Sequence, residues 1–369
     1  MERDYRICKK CIMDTSAPIS FDENGICNYC HEYDEKVKKR VLKGEEGKKK
    51  IEEIIENIKQ KGKSQKYDCI VGVSGGVDST YVAYLAKKWG LRPLAVHLDN
   101  GWNTKKATQN IARILKKLDI DLYTYVIDWE EFKDLQLSFL KASVLDTELV
   151  TDQAIKAALY QTAAKNNIKY ILSGVNLVTE GVMPRQWGHY KGDYINLLDI
   201  HNKFGSVKLK TYPILTLSQR FNYQIIKNIQ TIEVLNYIPY NREEAKNIII
   251  NELGWEDYKY KHHESMFTRF FQTYILPKKF NIDKRRPHLS AFVCAGLMTR
   301  EEALKEIELP SYPEDEMKRD KEYVIKKLGL TEREFENIMA LPPKKHTDYK
   351  SGIKMLSFSR ALYKKLLNR

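Results

Sequence analysis

The stretch Val71-Gly72-Val73-Ser74-Gly75-Gly76-Val77-Asp78-Ser79-Thr80 decides how the chain folds. An apolar run, Cys69 to Val73, leads into it, and a helical pattern, Val77 to Trp89, leads out. Val77, Tyr81, Leu85 and Trp89 recur at helical spacing, and Gly90 stops the helix. A buried strand therefore turns into a helix through two glycines. Gly75 and Gly76 remove side chains where backbone N–H groups must approach an anion closely. The helix N-terminus adds unpaired donors and the positive end of its dipole. Ser74 and Ser79 offer hydroxyls to phosphate oxygens, and Asp78 suits Mg²⁺ held against them. No G-x4-G-K-[ST] pattern is present, so no Walker lysine reaches a β- or γ-phosphate.

Outward from the loop the pattern alternates. Leu94 to Leu98 reads as a second strand, Thr104 to Leu118 as a helix and Leu122 to Ile127 as a third strand. Thr151 to Asn166 reads as a helix, followed by the strand Tyr170-Ile171-Leu172. Repeated strand–helix units imply an α/β, doubly wound parallel sheet. Ligands of such sheets sit beyond the carboxyl ends of the strands. Asp99 ends the second strand and Ser173-Gly174 ends the fourth, so both join the loop as nucleotide-side candidates.

Upstream, Cys8, Cys11, Cys27 and Cys30 form two C-x2-C pairs with the spacing of a tetrathiolate zinc ribbon. Four thiolates close a tetrahedral shell and leave no open position, which makes the metal structural. A redox dithiol pair or an iron–sulfur cluster is the competing reading. Asp22-Glu23-Asn24-Gly25 supplies the turn between the pairs, and His31 is a bystander. Cys69 and Cys294 stand singly in apolar runs and read as buried small hydrophobes. Ile51, Ile54, Ile55 and Ile58 mark a charged linker helix with one apolar stripe that packs on the next domain.

Beyond about Gln219 the strands largely stop. Capping patterns at Asn241-x-x-Glu244, Thr299-x-x-Glu302 and Thr331-x-x-Glu334 announce helices. The expected division is a zinc ribbon over residues 1–33, a linker helix over 34–66, a nucleotide-binding domain over 67–218 and a helical domain over 219–369. The last ends in a basic tail, Arg360 to Arg369.

Formal net charge is +13 in 369 residues, which favours anionic partners such as nucleotides, phosphorylated or uronic substrates, nucleic acid or an acidic protein. The same lysines would equally serve as a solvated face. Without a run of about 20 apolar residues, a membrane span is not expected. The charged start, Met1 to Lys10, lacks a signal-peptide core, so the expected location is the cytoplasm, where thiols stay reduced.

The Ser74-to-Ser79 loop resembles the pyrophosphate loop (PP-loop) of the ATP-pyrophosphatase family, whose members cleave ATP between the α- and β-phosphates and adenylate a substrate oxygen. Taken whole, the chain resembles the N-acetyl sugar amidotransferases, which convert an acetamido group to an acetamidino group in bacterial surface-sugar (lipopolysaccharide O-antigen) biosynthesis. The resemblance runs through Cys8 to Ser16, the loop, Asp99 to Trp102, Asn176 to His189 and Leu209 to Pro213. It continues through Lys261 to Ser265, Phe267 to Arg269, Ile282 to Arg286 and Met298 to Ala303.

It implies ATP- and Mg²⁺-dependent adenylation of the acetamido oxygen of a nucleotide-linked or nonulosonic sugar, then attack by ammonia. The ammonia would come from a separate glutaminase subunit of the histidine-biosynthesis type, with a cyclase-like companion. Asp78, Ser79, His262, His263 and Glu264 are the catalytic candidates. Ser74, Gly75, Gly76, Asp78, Ser79, Asp99, Ser173 and Gly174 are those for ATP. For the acceptor they are Glu180, Arg185, Lys261, Arg269, Arg285 and Arg286, since guanidinium forks suit diphosphate or carboxylate. Trp187 and Lys284 belong to the same motifs.

The alternative is a PP-loop enzyme that thiolates tRNA. Thiolation calls for reactive cysteines near the ATP site, and the nucleotide domain has no C-x-x-C, so nucleic acid is not the expected partner. Nor does the chain carry a Gly-x-Cys-x-Gly elbow for its own glutaminase.

Overall fold

The computed structural model describes residues 4–258 and 263–355. The chain opens with two helices, α1 (Asn28–Arg40) and α2 (Gly44–Gly62). The alternating part follows: β1 (Cys69–Gly72), α3 (Val77–Lys88), β2 (Pro93–Asp99), α4 (Lys105–Leu118), β3 (Leu122–Val126), α5 (Trp129–Lys141), α6 (Leu149–Lys165) and β4 (Tyr170–Ser173). Then come α7 (Leu177–Glu180), α8 (Tyr194–Phe204), α9 (Leu217–Phe221), β5 (Gln230–Glu233) and α10 (Arg242–Leu253). The last part is helical: α11 (Met266–Phe270), α12 (Leu276–Phe280), α13 (Arg285–Ala295), α14 (Arg300–Glu308), α15 (Glu314–Leu328) and α16 (Glu332–Ala340). Among the described residues no helix is long and apolar enough to cross a membrane.

The strands form one parallel sheet in the order β3-β2-β1-β4-β5. Its pleat sorts side chains onto two cores. Cys69 and Val71 pack with α3, α4 and α10, whereas Ile70, Leu94, Val96 and Ile171 pack with α6 through Ala157, Tyr160 and Ala163. Over β1, β2 and β4 both faces are covered, which is why these strands read as apolar runs, whereas edge strand β3 is largely exposed. From β1 the connections run one way to β2 and β3, and from β4 the other way to β5. The crevice beyond the carboxyl ends of β1 and β4 is the topological switch point.

Ile51, Ile54 and Ile58 of α2 enter the same core as Cys69 and Val71, each contributing roughly 1.5–3 kcal/mol by burial. The stripe expected on α3 is only part of the picture. Val82, Ala83, Tyr84 and Ala86 are buried as well, whereas Tyr81, Leu85 and Trp89 are partly buried, because α3 lies between the sheet and α10. Among the described residues one strand, β5, follows residue 219, beyond which the strands were expected largely to stop. It pairs with β4 from Tyr170↔Gln230 to Ser173↔Glu233, so the sheet runs past residue 218. Its four residues, Gln-Thr-Ile-Glu, lie exposed or half-buried at the sheet edge and carry no apolar signature.

The three caps are made. Asn241 accepts from the amides of Glu243 and Glu244, and Thr299 and Thr331 form reciprocal boxes with Glu302 and Glu334. The basic tail from Arg360 lies outside the described residues.

Candidate active site

Four contacts shape the loop after β1. The Ser74 amide donates to Ser79 Oγ at 3.2 Å, and the two hydroxyl oxygens lie 3.2 Å apart. Ser79 Oγ reaches the Gly76 carbonyl at 3.2 Å, and the Gly76 amide donates to Ser74 Oγ at 3.3 Å. Gly75 sits at φ +86°, a conformation that costs glycine nothing. Gly76 is the N-cap of α3 and makes no side-chain cap bond, which leaves first-turn donors of a 12-residue helix for an anion. The loop thus has the open N–H geometry that the two glycines lead one to expect of a phosphate cradle.

Residues far along the chain hold the cradle from outside. Trp255 Nε1 donates to the Gly75 carbonyl at 2.8 Å, and the Tyr258 hydroxyl donates to the same oxygen at 3.2 Å. Across a trans peptide the Gly76 N–H points opposite to that carbonyl, so the two aromatics aim it into the loop. The Tyr240 hydroxyl donates to Asp78 Oδ1, leaving Oδ2 for a cation. None of these three aromatics carried a sequence signal; they come from the segment after β5, and only folding brings them here.

Glu264 arrives by a different route. A β-bridge pairs Asn103 with Ser265, and the Thr104 amide donates to the Glu264 carbonyl at 2.9 Å. A Cβ on Gly76 would lie 3.2 Å from Glu264 Oε1, so this carboxylate stands directly over the loop. His97 is a further unanticipated member. Its Nδ1–H donates to the Val73 carbonyl at 2.8 Å, and Nε2 accepts from Asn103 Nδ2 at 3.0 Å. It ties the loop's entry to the segment that carries the Ser265 bridge.

The other nucleotide-side candidates close the crevice. A Cβ on Gly174 would come within 2.9 Å of the Asp78 carbonyl carbon, which puts the end of β4 against the start of α3. Ser173 Oγ accepts from the Val175 amide at 3.2 Å. Asp99 Oδ1 accepts from the Gly101 amide at 2.9 Å and fixes the turn after β2. Glu180 adds negative charge beside Tyr240, and burial, ahead of Asp78 and Glu180, pushes that phenol far above its usual range. Arg185 is largely exposed and stands 3.8 Å from Glu32, away from these contacts.

Three arginines expected to meet the acceptor have internal partners instead. Arg269 pairs through Nε and Nη2 with both oxygens of buried Asp320 at 2.7 Å, joining α11 to α15. Arg285 pairs with Asp283 at 2.7 Å and donates to the Leu309 and Ile307 carbonyls at 2.7 and 3.1 Å, capping the end of α14. Arg286 meets buried Asp14 at 3.2 Å and the Ile12 carbonyl at 2.6 Å, docking α13 on the cysteine segment. Each fork is consumed by a carboxylate or by backbone carbonyls whose desolvation it offsets. His263, offered as catalytic, is buried against Tyr312 at 5.5 Å between ring centroids. Burial and the Arg269 charge hold its pKa down to about 4. Lys261 and His262 lie outside the described residues.

The four paired cysteines converge. Their ligand atoms lie within 4.8 Å of one another, and the Cys8–Cys30, Cys11–Cys27 and Cys27–Cys30 sulfurs are 3.8, 3.7 and 3.7 Å apart. A tetrahedron with Zn–S bonds of about 2.3 Å has edges of about 3.8 Å. The cage fits zinc. Amides of Cys11 and Cys27 donate to Cys8 Sγ at 3.4 and 3.3 Å, as knuckles do for thiolates. His31 braces the intervening turn through Asp22 at 2.9 Å and is no ligand. Cys69 is a core side chain, as read from its apolar run. Cys294 corrects that reading: its sulfur lies 3.7 Å from Cys30 Sγ, against the cage.

Parts of the chain resemble known proteins. Residues 48–181 match the NAD synthase family, and residues 264–362 match the family described as LPS biosynthesis protein WbpG-like, C-terminal domain. An uncharacterized protein, MJ1599, of Methanocaldococcus jannaschii is 25% identical over 280 residues, 73% of this chain and 82% of the relative. The glutamine-hydrolyzing GMP synthase of Pyrobaculum aerophilum is 41% identical over 83 residues, covering 22% of this chain and 16% of the relative. Among solved structures, the NH3-dependent NAD synthetase of Campylobacter jejuni superposes at a TM-score of 0.31 and 16% identity, over 73% of this chain and 99% of that one. The two family matches support a PP-loop, ATP-using nucleotide domain joined to a C-terminal domain of a family linked to lipopolysaccharide biosynthesis.

Proposed function

We propose that the protein is an ATP-dependent amidotransferase that converts an N-acetyl group of a nucleotide-linked or nonulosonic sugar to an acetamidino group. The general class, ATP-driven formation of a C–N bond, is supported by the NAD synthase match across the loop domain. The observation that carries the finer reading is Glu264 over Gly76. It brings the first residue of the WbpG-like match over the loop, which supports a C-terminal part that takes part in the reaction.

In this reading the loop amides, Ser74 and Ser79 bind the pyrophosphate half of ATP. Mg²⁺ on Asp78 Oδ2 would neutralise charge there. The acetamido oxygen attacks the α-phosphorus, its bond to phosphorus forms as the bond to the β-phosphate oxygen breaks, and pyrophosphate leaves. Ammonia then adds to the activated carbon, a proton is lost and AMP departs. The chain's own contribution is positioning and stabilisation of phosphate charge.

Sulfur chemistry is disfavoured by the thiols themselves. Cys69 is fully buried in β1, where burial raises its pKa well above the ordinary thiol value, and Cys294 lies against the cysteine cage. The glutamine-hydrolyzing relative fits a glutaminase partner that delivers ammonia, here a separate subunit of the histidine-biosynthesis type with its cyclase-like companion.

The test supplies a diacetamido sugar, ATP and Mg²⁺, and compares ammonium with glutamine, with and without that glutaminase. Ammonium alone should give an acetamidino product by mass spectrometry, together with AMP and pyrophosphate; glutamine should need the partner. Asp78→Ala should abolish pyrophosphate release with an unchanged circular dichroism spectrum. ADP and phosphate as the main products, or modified tRNA with no sugar product, would refute the reading.

A further inference from the structure

Strand β3 is an open edge of the sheet. The Asp121 carbonyl accepts from the Ala95 amide at 2.9 Å, and the Ile127 amide donates to the Asp99 carbonyl at 2.9 Å. Alternate residues of a strand serve one neighbour. Residues 121, 123, 125 and 127 therefore face β2, and Leu122, Thr124 and Val126 turn their N–H and C=O groups outward. Among the described residues no strand lies beyond them, and no hydrogen bond reaches those groups.

The side chains are as open as the backbone. Leu122 is 43% exposed, Tyr123 40% and Val126 68%, with Thr124 exposed between them. Tyr125 is held in place, its hydroxyl donating to the Thr211 carbonyl at 3.3 Å. Edge strands of monomers carry guards such as a charge, a proline or a bulge. The opposite edge has one: β5 reads Gln-Thr-Ile-Glu, and Glu233 pairs with Arg40 at 2.7 Å. Strand β3 reads Leu-Tyr-Thr-Tyr-Val and has none.

That order of residues fits a second copy of the same strand. It is chemically almost the same read in either direction, aliphatic, tyrosine, threonine, tyrosine, aliphatic. A two-fold axis through Thr124 sets two strands antiparallel, with Leu122 opposite Val126, Tyr123 opposite Tyr125 and Thr124 opposite itself. Matched aliphatic, aromatic and threonine pairs of this kind stabilise sheets. The strand holds no charge, so the axis sets no like charges directly opposite each other. Centred on Thr124, the register pairs all of the outward residues, and each of their N–H and C=O groups gains a partner. A slip in either direction leaves some of them unpaired.

We propose that β3 is a self-association edge, through which two copies of the chain join as antiparallel strands centred on Thr124. The two sheets then run on as one. Because the paired strands point in opposite directions, the two nucleotide crevices open at opposite ends of the joined sheet. The inference does not rest on the amidotransferase reading.

Sedimentation of the full chain at micromolar concentration tests it, and wild type should run as a dimer. Val126→Lys puts a charge on an already exposed position, so it should keep the circular dichroism spectrum and weaken the dimer at least about tenfold. Thr124→Pro removes the outward N–H on the axis, spares the bonds to β2, and should weaken the dimer similarly. Ile226→Lys, at an apolar position 69% exposed elsewhere, should leave it intact. A short bis-maleimide reads the register above the background of the wild-type cysteines. Thr124→Cys should cross-link to its copy, since the Cα atoms of a hydrogen-bonded antiparallel pair lie about 5.5 Å apart. Val126→Cys should not, since four residues of offset put those positions roughly 13 Å apart. A monomeric wild type, a dimer unchanged by both Val126→Lys and Thr124→Pro, or equal cross-linking of the two cysteine variants would overturn the proposal. So would β3 amides that gain protection from exchange only when a glutaminase subunit is added, which would assign the edge to that partner.

Discussion

Trp255 Nε1 donates to the carbonyl of Gly75 at 2.8 Å, so a residue from beyond the last strand sets the conformation of the phosphate loop. Helix α10 carries Trp255 to this point. It packs on α3, ends at Gly254 in the left-handed conformation (φ +70°), and turns the chain back over the loop. The loop and its clamp are thus one cooperative unit, although 180 residues separate them.

Trp255→Phe is expected to keep the core packing and lose the donor. Tyr258 still reaches the same oxygen, so the loop should loosen without collapsing. A kcat/KM for ATP lowered by about 10-fold corresponds to losing one hydrogen bond of ordinary strength. Trp255→Phe combined with Tyr258→Phe should lose more than the sum of the single losses, because one carbonyl is served by both. Pyrophosphate release as a function of ATP concentration measures this, and strict additivity would contradict a shared clamp.

The cysteine cage predicts about one zinc per chain by elemental analysis. Its removal should be felt far from the N-terminus. Arg300 donates to the Cys8 and Cys11 carbonyls at 3.0 and 3.1 Å, and Ser290 Oγ accepts from the Ile12 amide at 3.3 Å. Stripping the metal, or Cys27→Ser, should therefore raise hydrogen exchange in α13 and α14 as well as in residues 8–30. Exchange confined to the N-terminal segment would show that the knuckle does not hold those helices.

His346 predicts an acid-side loss of stability. Its Nδ1–H donates to Asn196 Oδ1 at 2.7 Å, and its Nε2 accepts from the Asp146 amide at 3.2 Å, which demands the neutral ring. Burial, then the neighbouring His189, holds its pKa down to about 3. The unfolded chain takes up a proton below about 6.5, where the folded chain does not. Stability is therefore full above pH 6.5 and falls as pH drops towards 3. At pH 5 this one ring accounts for about 2 kcal/mol, and buried His263, held down to about 4, adds to the same side. Urea melts at pH 7 and pH 5 should show the difference. His346→Gln should start lower at pH 7 and lose less between the two values.

Much of this protein is written in local pattern. The loop, the strands through β4, the three caps and the four-cysteine cage each depend on residues close in sequence: a glycine pair at a strand end, a threonine three residues before a glutamate, two C-x2-C knuckles. Periodicity and covalent spacing fix such features before any long-range contact forms. Glu264 was legible in a weaker sense, since it lies in a motif, although its place over Gly76 depends on the Asn103–Ser265 bridge.

What the tertiary structure alone decided is who partners whom across long separations. Arg269, Arg285 and Arg286 look like anion ligands in sequence, and only packing shows Asp320, the Leu309 and Ile307 carbonyls, and Asp14 holding them. A guanidinium or ammonium carries the same sequence signal whether its counter-ion is protein or ligand. The difference is a matter of which carboxylates the fold brings within about 4 Å, and long-range geometry sets that.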